Sequence, residues 1–196
     1  MEPRAWPLVS RWIDEAANDV TVLPVEEPAG RAALEALGVT ERSVLGALAV
    51  HTGGLLVDHG WLRVHGGSTL PEWGGRLGDA FVVGHDVVAG FYAVGEADGE
   101  VRYLAPDSLE WEGTEMGHAA WVHWTLAGDL SGFYENLRWP GWPEEVAALA
   151  PDQGLTLYPP PFTREGHPVA DATRGPTSVT ELWDVQHRFI DELKAG

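Results

Sequence analysis

The chain contains no cysteine, and that one absence removes disulfide bridges, thiolate metal sites and a cysteine nucleophile together. Lysine is almost missing as well: Lys194 is the only one, while Arg, Ala, Gly and Pro are plentiful, a bias that reflects GC-rich coding rather than function. No apolar run approaches the roughly 20 residues a helix needs to cross a bilayer. The start, Met1-Glu2-Pro3-Arg4-Ala5-Trp6-Pro7, has neither the basic stretch nor the apolar core of a secretory signal, so the expectation is a cytoplasmic protein. P-loop, GxGxxG, GxSxG and HExxH patterns are missing, and Asp98-Gly99-Glu100 is too short for a calcium loop. No cofactor is expected.

Positive charge is scarce. Thirty acidic residues against twelve basic ones give a net charge of −18, a field that repels phosphate backbones and anionic membranes. Nucleic acid and membrane are therefore excluded as partners. The same field attracts a basic protein and speeds the encounter, although excess charge also serves solubility alone. A length of 196 residues suits one domain, and a chain of this size hides roughly 70% of its unfolded surface on folding.

The run from Asp79 to Trp111 organises the rest. Three stretches rich in Val, Phe and Tyr are separated there by Gly and Asp, as in consecutive antiparallel strands. Asp98-Gly99 offers the positive φ angles of a tight turn, which predicts that Phe91 to Val94 pairs with Val101 to Leu104. Earlier in the chain, Trp6-Pro7 opens a short helix with Leu8, Val9, Trp12, Ile13 and Ala16 on one face. Val20 to Val25 reads as a strand. Arg31 to Leu37 reads as a helix stopped by Gly38, and Glu41 to His51 as a helix capped by Thr40. Leu55 to Val57 and Trp61 to Val64 read as strands turned at Asp58-His59-Gly60, followed by a loop from Gly66 to Gly78.

After Trp111 the sequence predicts an acidic connection, Glu112 to Glu115, and a helix bearing Ala120, Trp121, Trp124 and Leu126. Asp129 caps a further helix through Phe133, Tyr134 and Leu137. Arg138 to Pro143 forms a rigid corner before a helix over Glu144 to Leu149. Leu155 to Tyr158 reads as a late strand stopped by three prolines, and Thr163 to Pro176 as a mobile loop. Ser178 with Glu181 makes a capping-box pattern ahead of a terminal helix lined by Leu182, Val185, Phe189 and Leu193. The expected architecture is α+β: residues 1–196 as one domain, a mostly antiparallel (mixed) sheet with a central meander flanked by helices, and terminal helices packed on it.

Two His-carboxylate neighbours, Asp58-His59 and His85-Asp86, have the side chains for acid-base work or metal binding. Adjacent strand residues point to opposite faces, however, and Asp and His are common in turns for their backbone hydrogen bonds. His118 and His123 are five apart, a poor spacing for a helical metal pair. Of the ten tryptophans, Trp12, Trp121, Trp124 and Trp183 fall on apolar helix faces and belong to the core. Trp111, Trp139 and Trp142 read as lids over the core. Trp73, in the loop, reads equally as a lid or as the anchor of a binding surface.

Several blocks together resemble a bacterial family known as a domain of unknown function. They are His51-Thr52-Gly53-Gly54, Asp58-His59-Gly60-Trp61-Leu62-Arg63, Leu70-Pro71-Glu72-Trp73, Ala105-Pro106-Asp107-Ser108-Leu109-Glu110-Trp111, Arg138-Trp139-Pro140-Gly141-Trp142 and Asp152-Gln153-Gly154. A second, distant similarity covers Ala32 to Leu137. A helix ending in Thr-Gly-Gly, a strand pair, a loop, a meander holding His85-Asp86 and Gly90-Phe91-Tyr92, and a helix with Phe133-Tyr134 look like the SUKH superfamily. That superfamily includes toxin-immunity proteins and a yeast cell-wall-synthesis regulator. The resemblance implies a SUKH-like α+β fold and protein binding without catalysis.

Two functions follow as expectations. One is a non-catalytic protein-binding module, an immunity-type inhibitor of a basic toxin domain, with Asp58, Glu72, Trp73 and Asp86 in its contact surface and no metal. The other is a small-molecule or metal-dependent hydrolase, which requires Asp58, His59, His85 and Asp86 to converge on one pocket.

Overall fold

The computed structural model describes residues 5–73, 76–78, 80–95 and 97–195, with the side chains of Glu27 and Leu37 left out. Met1 to Arg4, the Gly74-Gly75 pair of the loop, Asp79 at the head of the meander and Glu96 in its turn lie outside the described residues. Helix α1 (Trp6–Asp14) and strand β1 (Val20–Leu23) lead into α2 (Glu27–Leu37) and α3 (Val44–His51). The sheet continues through β2 (Gly54–Val57), β3 (Leu62–His65), the short α4 (Leu70–Trp73), β4 (Ala80–Asp86), β5 (Phe91–Gly95), β6 (Glu100–Leu104) and β7 (Trp111–Gly117). Then follow α5 (His118–Ala127), α6 (Leu130–Phe133), α7 (Trp142–Ala147), β8 (Gln153–Tyr158), β9 (Thr173–Ser178) and α8 (Val179–Ala195).

Strands β1 to β7 form one sheet in chain order, and β8 with β9 forms a second. Every pair is antiparallel, so the sheet is not mixed. The fold is α+β and a single domain. Strand side chains alternate between faces, and each face has its own core. On one, Leu62, Val64, Tyr92 and Tyr103 pack with Val9 of α1, Leu48 of α3 and Trp121 of α5. On the other, Phe91, Ala93 and Leu104 pack with Trp73 of α4 and with Val179, Leu182 and Trp183 of α8.

The central hairpin has the expected register, Phe91 opposite Leu104 and Val94 opposite Val101. Of its turn pair only Gly99 takes a positive φ, 69°. The turn at 58–60 is left-handed at all three residues, Asp58, His59 and Gly60. Gly38 stops α2 in the left-handed conformation. Several expectations about the elements change. Ser43, not Thr40, caps α3: its hydroxyl accepts from the Gly46 amide at 3.0 Å, and the helix starts at Val44. The acidic stretch after Trp111 is strand β7, because its backbone completes the open side of β6. The loop from Gly66 to Gly78 holds α4. The loop from Thr163 to Pro176 contains two short 3-10 turns and ends within β9, where Pro176 lies opposite Leu155. A two-stranded sheet has only edges, which is where proline is tolerated.

The Ser178 cap is half of a capping box: its hydroxyl accepts from the Glu181 amide, while the Glu181 carboxylate accepts from Thr177. Leu8 and Leu193, expected on apolar faces, are exposed. Trp121, Trp139 and Trp183 are buried, and Trp12, Trp111, Trp124 and Trp142 are partly buried against the cores.

One buried polar centre ties the meander together. Asp86 Oδ1 accepts from the amides of Val88 and Gly90, at 3.0 and 2.8 Å, and Oδ2 accepts from the Tyr103 hydroxyl at 2.7 Å. Burial raises the Asp86 pKa, opposed by those donors and by the charge of Arg138. A Cβ on Gly90 would collide with Asp86 Oδ2 and the Tyr103 hydroxyl, which is why glycine stands there.

Tyr103→Phe removes one of the three donors to a fully buried carboxylate and is expected to lower stability by about 1–3 kcal/mol in urea unfolding. Ser43→Ala is expected to cost about 1 kcal/mol by the same measurement, with Thr40→Ala costing clearly less. Equal losses for the two would show that Ser43 is not the cap.

Candidate functional site

The left-handed turn at 58–60 aims Asp58 at Arg138, whose Nη2 donates to Asp58 Oδ2 at 2.6 Å. The guanidinium lies between aromatic rings, 4.2 Å from Trp142, 4.8 Å from Trp61 and 5.2 Å from Tyr134. The pair fastens the β2–β3 turn to the corner after α6. His59 points away, exposed, with Asp19 3.9 Å from its ring nitrogen and Trp142 beside it.

His85 and Asp86 follow one another on β4 and face opposite cores. Asp86 joins Tyr103 on the face covered by α5, whereas His85 lies on the face covered by α4 and α8, beside Trp73 and Phe91. The four residues of the hydrolase expectation are thus not brought together. Among the described residues, no group of three or more His, Asp or Glu is arranged to hold a metal ion. His118 is half-buried with its Nε2 enclosed, and His123 is exposed against Trp12, so those two do not meet either.

His85 has instead a partner that spacing did not reveal. His65, on β3, is 2.8 Å away from Nε2 to His85 Nδ1, and its own Nδ1 is 3.2 Å from the Val82 carbonyl. Both rings are neutral. Burial pushes His65 down to about 4, and pushes His85 well below the usual histidine range with help from His65 and Arg63. A carbonyl only accepts, so His65 carries its proton on Nδ1 and its Nε2 must accept. His85 therefore carries its proton on Nδ1, and its Nε2 is a lone pair. Cross-strand register makes this pair, because His85 lies opposite Arg63, two residues before His65.

Of the residues expected in a contact surface, Glu72 alone is largely in solvent, its carboxylate paired with Arg76 at 3.1 Å. Trp73 is buried under Arg76, 4.1 Å from its guanidinium, and packs on Trp183 and Phe91. Asp86 is fully buried and Asp58 mostly so. Trp73 and Asp86 lie on opposite faces of the sheet, so the four do not share one surface.

A different site stands at the β7 edge. A pocket of about 310 Å³ is lined by Tyr92, Tyr103, Trp124 and Phe133, with Glu112, Thr114 and Met116 along its rim. Glu112 lies directly opposite Tyr103, which fixes its side chain on the pocket side. Phe133 is 45% exposed, although it packs on Trp124 at 5.1 Å and Tyr103 at 5.5 Å. Glu110 and Glu115 are exposed along the same edge, and Glu100 accepts from the Glu115 amide. Aromatic faces beside carboxylates attract cations. The alternation Glu112, Thr114, Met116 was the available signal, hidden by Gly113 and the density of acids.

Buried neutral histidines make the fold acid-sensitive. His65 and His118 drop from 6.5 to about 4 because burial disfavours the charged ring. The unfolded chain takes up these protons first, so stability falls as pH drops from about 6.5 toward 4. The loss is on the order of 2 kcal/mol per ring by pH 5. Asp86, raised by burial, acts in the opposite sense. Urea midpoints are expected to decline between pH 7.5 and 5, with the decline smaller in His118→Phe. A flat profile would contradict the neutral rings.

Comparison with known proteins finds relatives that match over most of the chain. The uncharacterized protein YbfG of Escherichia coli (strain K12) is 36% identical over 205 residues, covering 96% of this chain and 93% of that protein. An uncharacterized protein of Haemophilus influenzae (strain ATCC 51907 / DSM 11121 / KW20 / Rd) is 28% identical over 177 residues, covering 81% and 78%. No solved structure matches. Among the described residues, no helix is long and apolar enough to cross a membrane. A family model matches residues 1–182, and the chain belongs to that family, described as protein of unknown function DUF2625.

Proposed function

We propose that this chain is a non-catalytic binding module for a basic protein, and that the β7 edge is its contact surface. The observation that carries the reading is the aromatic pocket rimmed by Glu112 with Glu110 and Glu115 beside it. A lysine or arginine of the partner enters between Tyr103, Trp124 and Phe133, where ring faces hold its stem and charge and Glu112 neutralises it. The volume of about 310 Å³ is at the small end of the roughly 300–1,000 Å³ range of ligand pockets, suited to one side chain rather than a cofactor. The net charge of −18 steers the encounter.

In its finer form the partner is a basic toxin domain and the chain an immunity-type inhibitor in the cytoplasm. This form is supported by the SUKH resemblance and by an element order that agrees with it: α3 ending at Thr52-Gly53, the β2–β3 pair, and the meander followed by a helix.

The test titrates the chain with arginine- or lysine-bearing peptides by calorimetry, at low and high salt. Binding is expected to weaken about tenfold or more in Phe133→Ala, and in Glu112→Gln with Glu115→Gln. It is also expected to weaken as salt shortens the screening length below about 10 Å. Peptide affinities identical in wild type and all variants would reject the site. Immobilised protein that retains a basic toxin domain equally well after these substitutions would place the contact elsewhere.

A further inference from the structure

Phe133 is 45% exposed, yet its ring is fixed from three sides. It stands at 86° to Tyr134 and 77° to Trp124, with centroids 4.8 and 5.1 Å away, and at 59° to Tyr103, 5.5 Å away. Asp129 accepts from the Gly132 amide at 2.9 Å and so sets the turn that presents the ring. Trp124 is placed as closely. A Cβ on Gly128 would come within 2.4 Å of its indole, so only glycine lets that ring lie where it does. Phe133, Trp124 and Tyr103 are walls of the pocket of about 310 Å³ at the β7 edge. Tyr103 is 5% exposed, and Tyr92, stacked on it at 4.5 Å, is fully buried and backs the floor.

The side chains lining this pocket offer ring surface and few acceptors. Both tyrosine hydroxyls are engaged in the core, that of Tyr103 donating to Asp86 at 2.7 Å and that of Tyr92 meeting Tyr134 at 2.7 Å. Thr114 donates its hydroxyl to the Val101 carbonyl at 2.6 Å and accepts from the Met116 amide at 3.3 Å. Glu112 is left as the one lining side chain with a carboxylate, and one of its oxygens already accepts from Ser108 at 3.1 Å. A lysine ammonium brings three N–H donors and a guanidinium five, and donors that leave water without finding acceptors cost free energy. A trimethylated ammonium keeps the charge and brings no N–H. Ring faces attract it, and its methyl groups fill apolar walls with no hydrogen bond left unmade. We propose that the residue recognised here is a trimethylated lysine, an inference that rests on the β7 edge being the contact surface for a basic protein. Phe133, Trp124 and Tyr103 surround the methyl groups, Met116 packs on the stem, and Glu112 balances the charge from the rim.

The experiment titrates the full chain by calorimetry with one short peptide in three forms. Its central lysine is unmodified, trimethylated, or replaced by the neutral tert-butyl analogue in which carbon takes the place of the nitrogen. The trimethylated form is expected to bind about tenfold tighter than either of the others. Phe133→Leu keeps apolar bulk at the mouth and removes the ring, and is expected to cut the preference over the neutral form severalfold. Should that variant not fold, the three forms against the native chain decide alone. Equal binding of the trimethylated and unmodified forms would overturn the inference and leave the contact surface standing, whereas no binding of any form would remove both. Equal binding of the trimethylated and neutral forms, or a preference that Phe133→Leu leaves intact, would also overturn it. Choline that binds as tightly as the trimethylated peptide would assign the pocket to a free quaternary ammonium instead of a partner's side chain.

Discussion

The Asp86 carboxylate is the point on which the sheet depends. It closes the β4–β5 turn through two amides and reaches across to Tyr103 on β6, so three consecutive strands are registered by a single side chain. Tyr103 stacks on Tyr92 at 4.5 Å, and the Tyr92 hydroxyl meets that of Tyr134 at 2.7 Å, which extends the network to the segment after α6. Burial drives all three phenols well above their ordinary range. They therefore act as hydrogen-bonding groups that keep their protons. Such a network is costly unless every member is satisfied, and its geometry leaves little freedom for alternative strand registers.

A second fastening joins the two sheets. Arg63 spends its donors on the backbone carbonyls just before and within β8, and the Leu155 amide donates to the Val87 carbonyl at 2.6 Å. Gly154 is needed at that approach, since a Cβ would come within 2.8 Å of the Val87 oxygen. Further out, Arg174 covers Trp139 at 4.4 Å and pairs with Glu145, which also accepts from the Trp139 indole. The Trp-Pro-Gly-Trp corner is thus held from both sides by cations, with Arg138 over Trp142 and Arg174 over Trp139.

Much of this architecture was legible in the sequence, and the failures share a cause. The hairpin from Phe91 to Leu104 announces itself through β-branched and aromatic residues around Asp98-Gly99. Strands β7 and β9 do not, because acids and Gly113 in one, and Gly175 and Pro176 in the other, are residues that edge positions tolerate and interiors do not. The turn role of Asp58 and the opposite facing of His85 and Asp86 follow from local rules. The His65–His85 pair, the Arg63 clamp and the aromatic pocket depend on register between strands, which one-dimensional spacing does not carry. Trp73 illustrates the limit: its loop position left lid and anchor equal, and its ring turns inward because α8 offers Trp183 to pack on.

Seven strands that each pair with the next in the chain have a temporal meaning as well as a spatial one. Contacts close in sequence close cheaply and early, so every strand of the main sheet meets a neighbour that has already left the ribosome. Helix α8 follows the whole sheet and, with α4, shields the second face, with its phenylalanine and tryptophan side chains. During synthesis that face has only α4 over it until α8 arrives, and the acidic surface keeps sibling chains apart through the interval.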